Sequence, residues 1–200
     1  MQTPWGLAQT IKTVAPGIQL VTTSSHGGYL LDPARSAAMP AYMAGKKFTE
    51  GRSAYEEDCD WCMPALVFEP EFRAFLTKTG SPDVETVFKS AKETLRHWLP
   101  DAYEIFYGVT LQPGESRKRD QQKFNIDNKA NWITTAAWGD WKNGVPKGMV
   151  GVCARLGGRS SANSSAERYF LVPADEYRGG ALPFGFVIDP DRHAEIPPLV

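Results

Sequence analysis

The residue pattern predicts an α+β fold, an antiparallel sheet of about five strands with helices packed mainly on one face. Three observations carry that expectation. Residues 132–138, 149–156 and 168–172 read as strands that follow one another with no helix between them, and a meander is the simplest way to pair such a run. Ile18 to Thr23 and Tyr29 to Leu31 read as a hairpin across a Ser/His/Gly turn. Val84, Val87, Phe88, Ala91, Leu95 and Trp98 recur at helical spacing and make a single apolar stripe.

Taken in order, residues 1–17 mix Pro4, Trp5, Gly6, Pro16 and Gly17 with Ile11 and Val14, which predicts a short irregular or helical piece ending in a turn. Asp32-Pro33 fits a helix cap with proline at the first position, and that helix should stop at Met39-Pro40. Residues 44–52 lack periodicity and read as a surface loop. Ser53-Ala54-Tyr55-Glu56 has the spacing of a capping box, so a helix is expected to open there. Tyr55, Cys59, Cys62 and Leu66 would then face the core, with Pro64 kinking or ending the helix. Ser81-Pro82-Asp83 supplies the start signals for the Val84 stripe, and Pro100 interrupts it ahead of a short aromatic helical turn ending at Gly108. Residues 115–124 read as a polar helix. A Gly/Ser/Ala/Asn loop over 157–166, a helical turn at 173–177 and an edge strand at 184–188 complete the series.

With 200 residues and 42% hydrophobic content, the chain suits one globular domain over 1–200, residues 178–200 forming a loose extension. A formal net charge of -1 sets up no whole-surface field towards nucleic acid or anionic lipid. No window approaches the roughly 18 apolar residues of a membrane span, and the first residues do not read as a leader, so a cytoplasmic protein is expected. Three cysteines argue for reduced thiols rather than a disulfide framework.

Residues able to do chemistry crowd into 24–63. His26 stands in a Gly-rich turn, and with Glu57 or Asp58 it would form a general acid/base set; ADP-ribosyl transfer is one special case and hydrolysis another. The competing reading makes His26 a turn residue and Glu56, Glu57 and Asp58 the acids of a first helical turn. Cys59-Asp60-Trp61-Cys62 is formally C-x-x-C, but its acidic neighbours oppose a reactive thiolate and no second ligand pair has zinc spacing. Core thiols, no metal and no cofactor are the expectation. Arg117, Lys118, Arg119 and Lys123 form a basic helix face, and Trp138 and Trp141 flank a Gly-Asp turn. These residues suit contact with an acidic protein surface, or, less directly, with nucleic acid through phosphate contacts and base stacking. Whether the protein is an enzyme stays open at this level, as does its oligomeric state.

Thr3-Pro4-Trp5-Gly6, Ala15-Pro16-Gly17, Ser25-His26-Gly27-Gly28, Tyr55-Glu56-Glu57-Asp58-Cys59, Trp98-Leu99-Pro100-Asp101-Ala102-Tyr103 and Leu171-Val172-Pro173-Ala174-Asp175-Glu176-Tyr177 together resemble an uncharacterised family of small proteins. That family is carried by bacterial plasmids, phages and integrative elements. The resemblance spans most of the chain and implies a genomic setting rather than a reaction. In that setting small proteins that blunt restriction or CRISPR systems are common, and the expected role is binding and inhibiting such a host component, a protein or nucleoprotein complex.

Overall fold

The fold was analysed in a computed structural model that describes residues 1–49, 51–81, 83–158, 167–180 and 183–199. It is α+β, with two five-stranded antiparallel sheets. Where one domain was expected, the chain contacts group into two compact units, Met1–Lys118 and Arg119–Val200.

The first unit begins with strand, not the irregular or helical piece expected. β1 (Gln2–Thr3) and β2 (Gly6–Leu7) form a small ribbon, and β3 (Thr10–Ala15) follows. The sheet then runs through β4 (Ile18–Thr22), β5 (Gly27–Leu31), β6 (Lys46–Lys47) and β7 (Ser53–Glu56) in the spatial order β3-β4-β5-β7-β6. Alternation along its strands sends Ile18, Leu31 and Tyr55 to one face and Val21, Leu30 and Ala54 to the other. Helices line the first face: α2 (Cys62–Val67), α3 (Glu69–Lys78), α4 (Val84–Trp98) and α5 (Pro100–Tyr107) contribute Leu66, Phe72, Phe88, Ala91, Leu95 and Tyr103 to its core. On the other face Trp5 and Phe48 cover a smaller cluster.

Local signals behave as chemistry requires at several ends. Asp32 accepts from the amide of Arg35 at 2.8 Å and caps α1 (Pro33–Ala38). Asp83, rather than Ser81, caps α4 by accepting from the amide of Thr86 at 3.0 Å; Pro82 lies outside the described residues. The capping-box expectation fails. Ser53 to Glu56 is a strand, because β5 and β6 flank it and take the backbone groups that a helix start would leave to side-chain caps. The Tyr55 side chain is fully buried, its hydroxyl donating to Met43 O at 3.2 Å and accepting from the Gly45 amide at 3.0 Å. Pro64 neither kinks nor ends a helix, since it falls in the first turn of α2, where no earlier carbonyl awaits its missing amide.

The second unit starts with most of α6 (Arg117–Asp127), shifted by about one turn from residues 115–124. Its sheet contains β8 (Trp132–Trp138), β9 (Met149–Leu156), β10 (Arg168–Pro173), β11 (Val187–Ile188) and β12 (Ala194–Ile196) in the order β11-β8-β9-β10-β12. The expected meander is therefore present. Val152, Ala154, Phe170 and Val172 turn to one face and pack with Phe186 and Ile188, while Tyr177 of α7 (Ala174–Gly180) closes that core. Of the Gly/Ser loop, residues 159–166 lie outside the described part.

Within residues 178–200, expected as a loose extension, two strands join the sheet. β12 pairs with β10, and β11 pairs with β8. The imidazole of His193 is buried, accepting at Nδ1 from the Asp189 amide at 3.0 Å and lying at Nε2 3.2 Å from Glu176 Oε1. Leu199 rests against Gly151 so closely that a Cβ there would lie 2.6 Å from its Cδ1.

Candidate functional site

The β4–β5 hairpin places His26 one residue before β5. Its turn is made by Thr23, whose hydroxyl donates to His26 O at 2.7 Å and accepts from the His26 amide at 3.2 Å. Contrary to the expectation that glycine bends this turn, the positive φ falls later, at Gly28 (φ +153°), where any Cβ would lie 2.1 Å from Tyr55 O. Gly27 is also required, since a Cβ there would meet Val21 O and Glu57 Oε2, each at 2.8 Å. The imidazole itself is free of the turn: its side chain is 56% exposed.

Strand register decides which acids approach it. Gly28 pairs with Glu56, and the Glu57 amide donates to Gly27 O at 3.1 Å, so two successive glutamates lie across from the His26 end of β5. His26 Nδ1 is 3.7 Å from Glu56 Oε1, and one ligand atom from each of His26, Glu56 and Glu57 lies within 4.8 Å of the others. Asp58 is not in this group; its amide instead donates to Glu56 Oε2 at 2.8 Å. Of the acids expected beside His26, Glu57 lies in this group and Asp58 does not, while Glu56, expected only as a helix-capping acid, does. The signal that could have found it was the alternation of Ser53 to Glu56, hidden by treating those residues as a helix start.

The thiols next to this cluster are chemically subdued. Burial, then the charge of Asp60, pushes the Cys62 thiol up to about 12, and its S–H donates to Cys59 O at 3.1 Å. Cys59 is half-buried rather than core-facing; burial and then Asp60, Asp58 and Glu56 raise its thiol as well. Asp60 is held above the usual carboxylate range, first by burial and then by Glu56. All three cysteines are free. Neither sulfur of the C-x-x-C pair has the depressed pKa of a redox nucleophile.

The basic and aromatic candidates fall in both units. In the first, Arg117 and Lys118 are exposed where α6 begins, and the Arg117 amide donates to His97 Nδ1 at 3.4 Å. That bond fixes them beside the end of α4, where Trp98 is 52% exposed. In the second, Lys123 pairs with Asp127 at 2.7 Å, which partly neutralises it, and Arg119 lies 3.5 Å from Gln122 Oε1. Trp138 stacks on Tyr169 with ring centres 6.3 Å apart, whereas Trp141 is 76% exposed.

A groove of about 500 Å³ among α2 to α5 is lined by Leu66, Glu69, Glu85, Phe88, Lys92 and Tyr107. In the second unit a cleft of about 460 Å³ on the sheet face includes Trp138, Cys153, Arg155, Glu167 and Tyr169. His26 borders neither. Among the described residues no helix is long and apolar enough to cross a membrane.

One family model, described as Domain of unknown function (DUF7007), matches residues 1–129, which span the first unit and α6. No match was found among the curated proteins or among the solved structures.

Proposed function

The chain belongs to that family, and we propose that it is a mobile-element accessory protein of the bacterial cytoplasm that binds and inhibits a host macromolecule, such as a restriction or CRISPR defence component. One observation carries the reading: Trp98 stands 52% exposed at the end of α4, next to the His97–Arg117 contact. An exposed tryptophan beside cations is the composition of an interface anchor, because the ring supplies apolar area at low entropic cost while Arg117 and Lys118 select the partner's charge. The matching surface is acidic protein. Ile105 and Val109, 58% and 46% exposed, add apolar area on α5 and just past it.

The test is biological and then physical. Expression of the protein in a host with an active restriction or CRISPR system should raise establishment of an unmodified or targeted plasmid by on the order of tenfold or more. A Trp98→Ala/Arg117→Glu variant, shown to fold by its circular dichroism, should lose that gain and the captured defence component together. No gain with the unaltered protein in either system would sink the reading.

A second reading, a small hydrolase or ADP-ribosyl transferase, is favoured by the approach of His26 Nδ1 to Glu56 Oε1 at 3.7 Å. It calls for a concave substrate site at His26, whereas the grooves described above lie away from it.

A further inference from the structure

We infer that His26, Glu56 and Glu57 form a binding site for one first-row divalent cation, of the Mn²⁺ or Zn²⁺ type. The three side chains come from opposing strand ends, so the fold assembles them; they are not simply a run of neighbours. Their donor atoms lie within 4.8 Å of one another. Bonds of about 2.0–2.2 Å to one ion require donors to close to about 3.0–3.4 Å, a movement within reach of exposed side chains. His26 and Glu57 are both exposed.

The second, independent observation is Glu56 Oε1. It is sealed from solvent and has no hydrogen-bond partner, while Oε2 of the same carboxylate is held by the Asp58 amide at 2.8 Å. A buried carboxylate oxygen without a donor is costly, and the side chain is fixed so that this oxygen faces the imidazole. A protonated His26 at 3.7 Å lies beyond hydrogen-bond reach of it. A cation between them satisfies both groups and the Glu57 carboxylate as well. Gly27 keeps that place open, since a Cβ there would press on Glu57 Oε2 at 2.8 Å.

One imidazole and two carboxylates form a mixed nitrogen and oxygen set, suited to Mn²⁺ and Zn²⁺ rather than to the soft ions that thiolates select. Three protein donors leave positions for water or for an acidic group of another molecule. Mn²⁺ is the probe of choice, because it discriminates against the nearby Cys59 and Cys62 sulfurs.

The experiment titrates chelator-treated full-length protein with Mn²⁺ and follows the free ion by its electron paramagnetic resonance signal. One ion per chain should bind, and Glu56→Gln and His26→Ala should each weaken binding tenfold or more. Glu56→Gln retains an acceptor for the Asp58 amide, and His26 is exposed, so both variants should keep the wild-type melting temperature without metal. Absence of saturable Mn²⁺ binding, or a loss below tenfold in either folded variant, overturns the assignment. Should Glu56→Gln melt early, the exposed His26→Ala decides alone.

Discussion

The sheets of residues 1–118 and 119–200 share antiparallel pairing and a five-strand count, yet they are finished in different ways. Helices α2 to α5 supply most of the side chains that bury Tyr55, Ile18 and Leu31, so one face of the first sheet looks onto a deep core. The second sheet has a smaller core of Val152, Ala154, Phe170, Val172, Phe186 and Ile188, closed by Tyr177 of the short helix α7, while its opposite face holds an open cleft at Cys153 and Tyr169. The difference originates in the chain just beyond each set of strands: a run of helices with apolar stripes after β7, and only a turn of helix and two short strands after β10.

The largest expected effect tests whether the smaller core concentrates its stability in fewer side chains. Phe170 has no exposed area, and Phe170→Ala should cost about 3–5 kcal/mol, near the upper end for a core truncation. Hydrogen exchange should then quicken across residues 119–200. Leu95→Ala in the first unit should cost about 2–5 kcal/mol, with exchange quickening across α4 and its partners. If Phe170→Ala proves milder than Leu95→Ala in denaturant melts, the contrast between concentrated and distributed cores is wrong.

A smaller effect bears on how the first sheet holds its edge. Tyr55→Phe removes the acceptor of the Gly45 amide and the donor to Met43 O while keeping the ring. Two groups lose their partner, and a loss of about 1–3 kcal/mol is expected from equilibrium unfolding. A neutral outcome would mean that the loop before β6 is held by apolar packing alone.

The smallest effect is kinetic and compares the thiols. Cys62 lies beneath the helices with no exposure, and Cys153 is buried at the open sheet face, while Cys59 is half-buried. Native labelling at neutral pH should run Cys59 first, Cys153 next and Cys62 last, read by mass spectrometry of the labelled peptides. The Cys62 thiol, raised from 9.0 to about 12, also carries a pH signature. The unfolded chain loses that proton first, so stability should fall as pH climbs from about 9 towards 12. Equal protection of Cys62 and Cys153 would erase the distinction between the two faces.

Much of this architecture is written in local chemistry. The meander β8-β9-β10, the Asp32 cap and the stripe of α4 each follow from periodicity or a cap that no distant residue overrides. α3 is legible only in its ends, where Glu69, Pro70 and Glu71 mark the first turn and Lys78 the last. The site suffered from a different difficulty. S-x-x-E is compatible with a helix start or with a strand, and only pairing with residues more than twenty positions away decides it. Since that decision fixes where Glu56 points, the third member of the His26 cluster was invisible until the register of β5 and β7 was known. Trp98 departs from the expected stripe for a related reason: it belongs there by spacing, but α4 ends at it and the ring is exposed.

Leu199 against Gly151 gives the second sheet a socket whose depth one residue controls. A Cβ at position 151 would also meet Val145 Cγ2 at 2.7 Å, so even alanine there would press two side chains off a middle strand at once, and a change in β9 would be felt at Leu199, nearly fifty positions later in the chain.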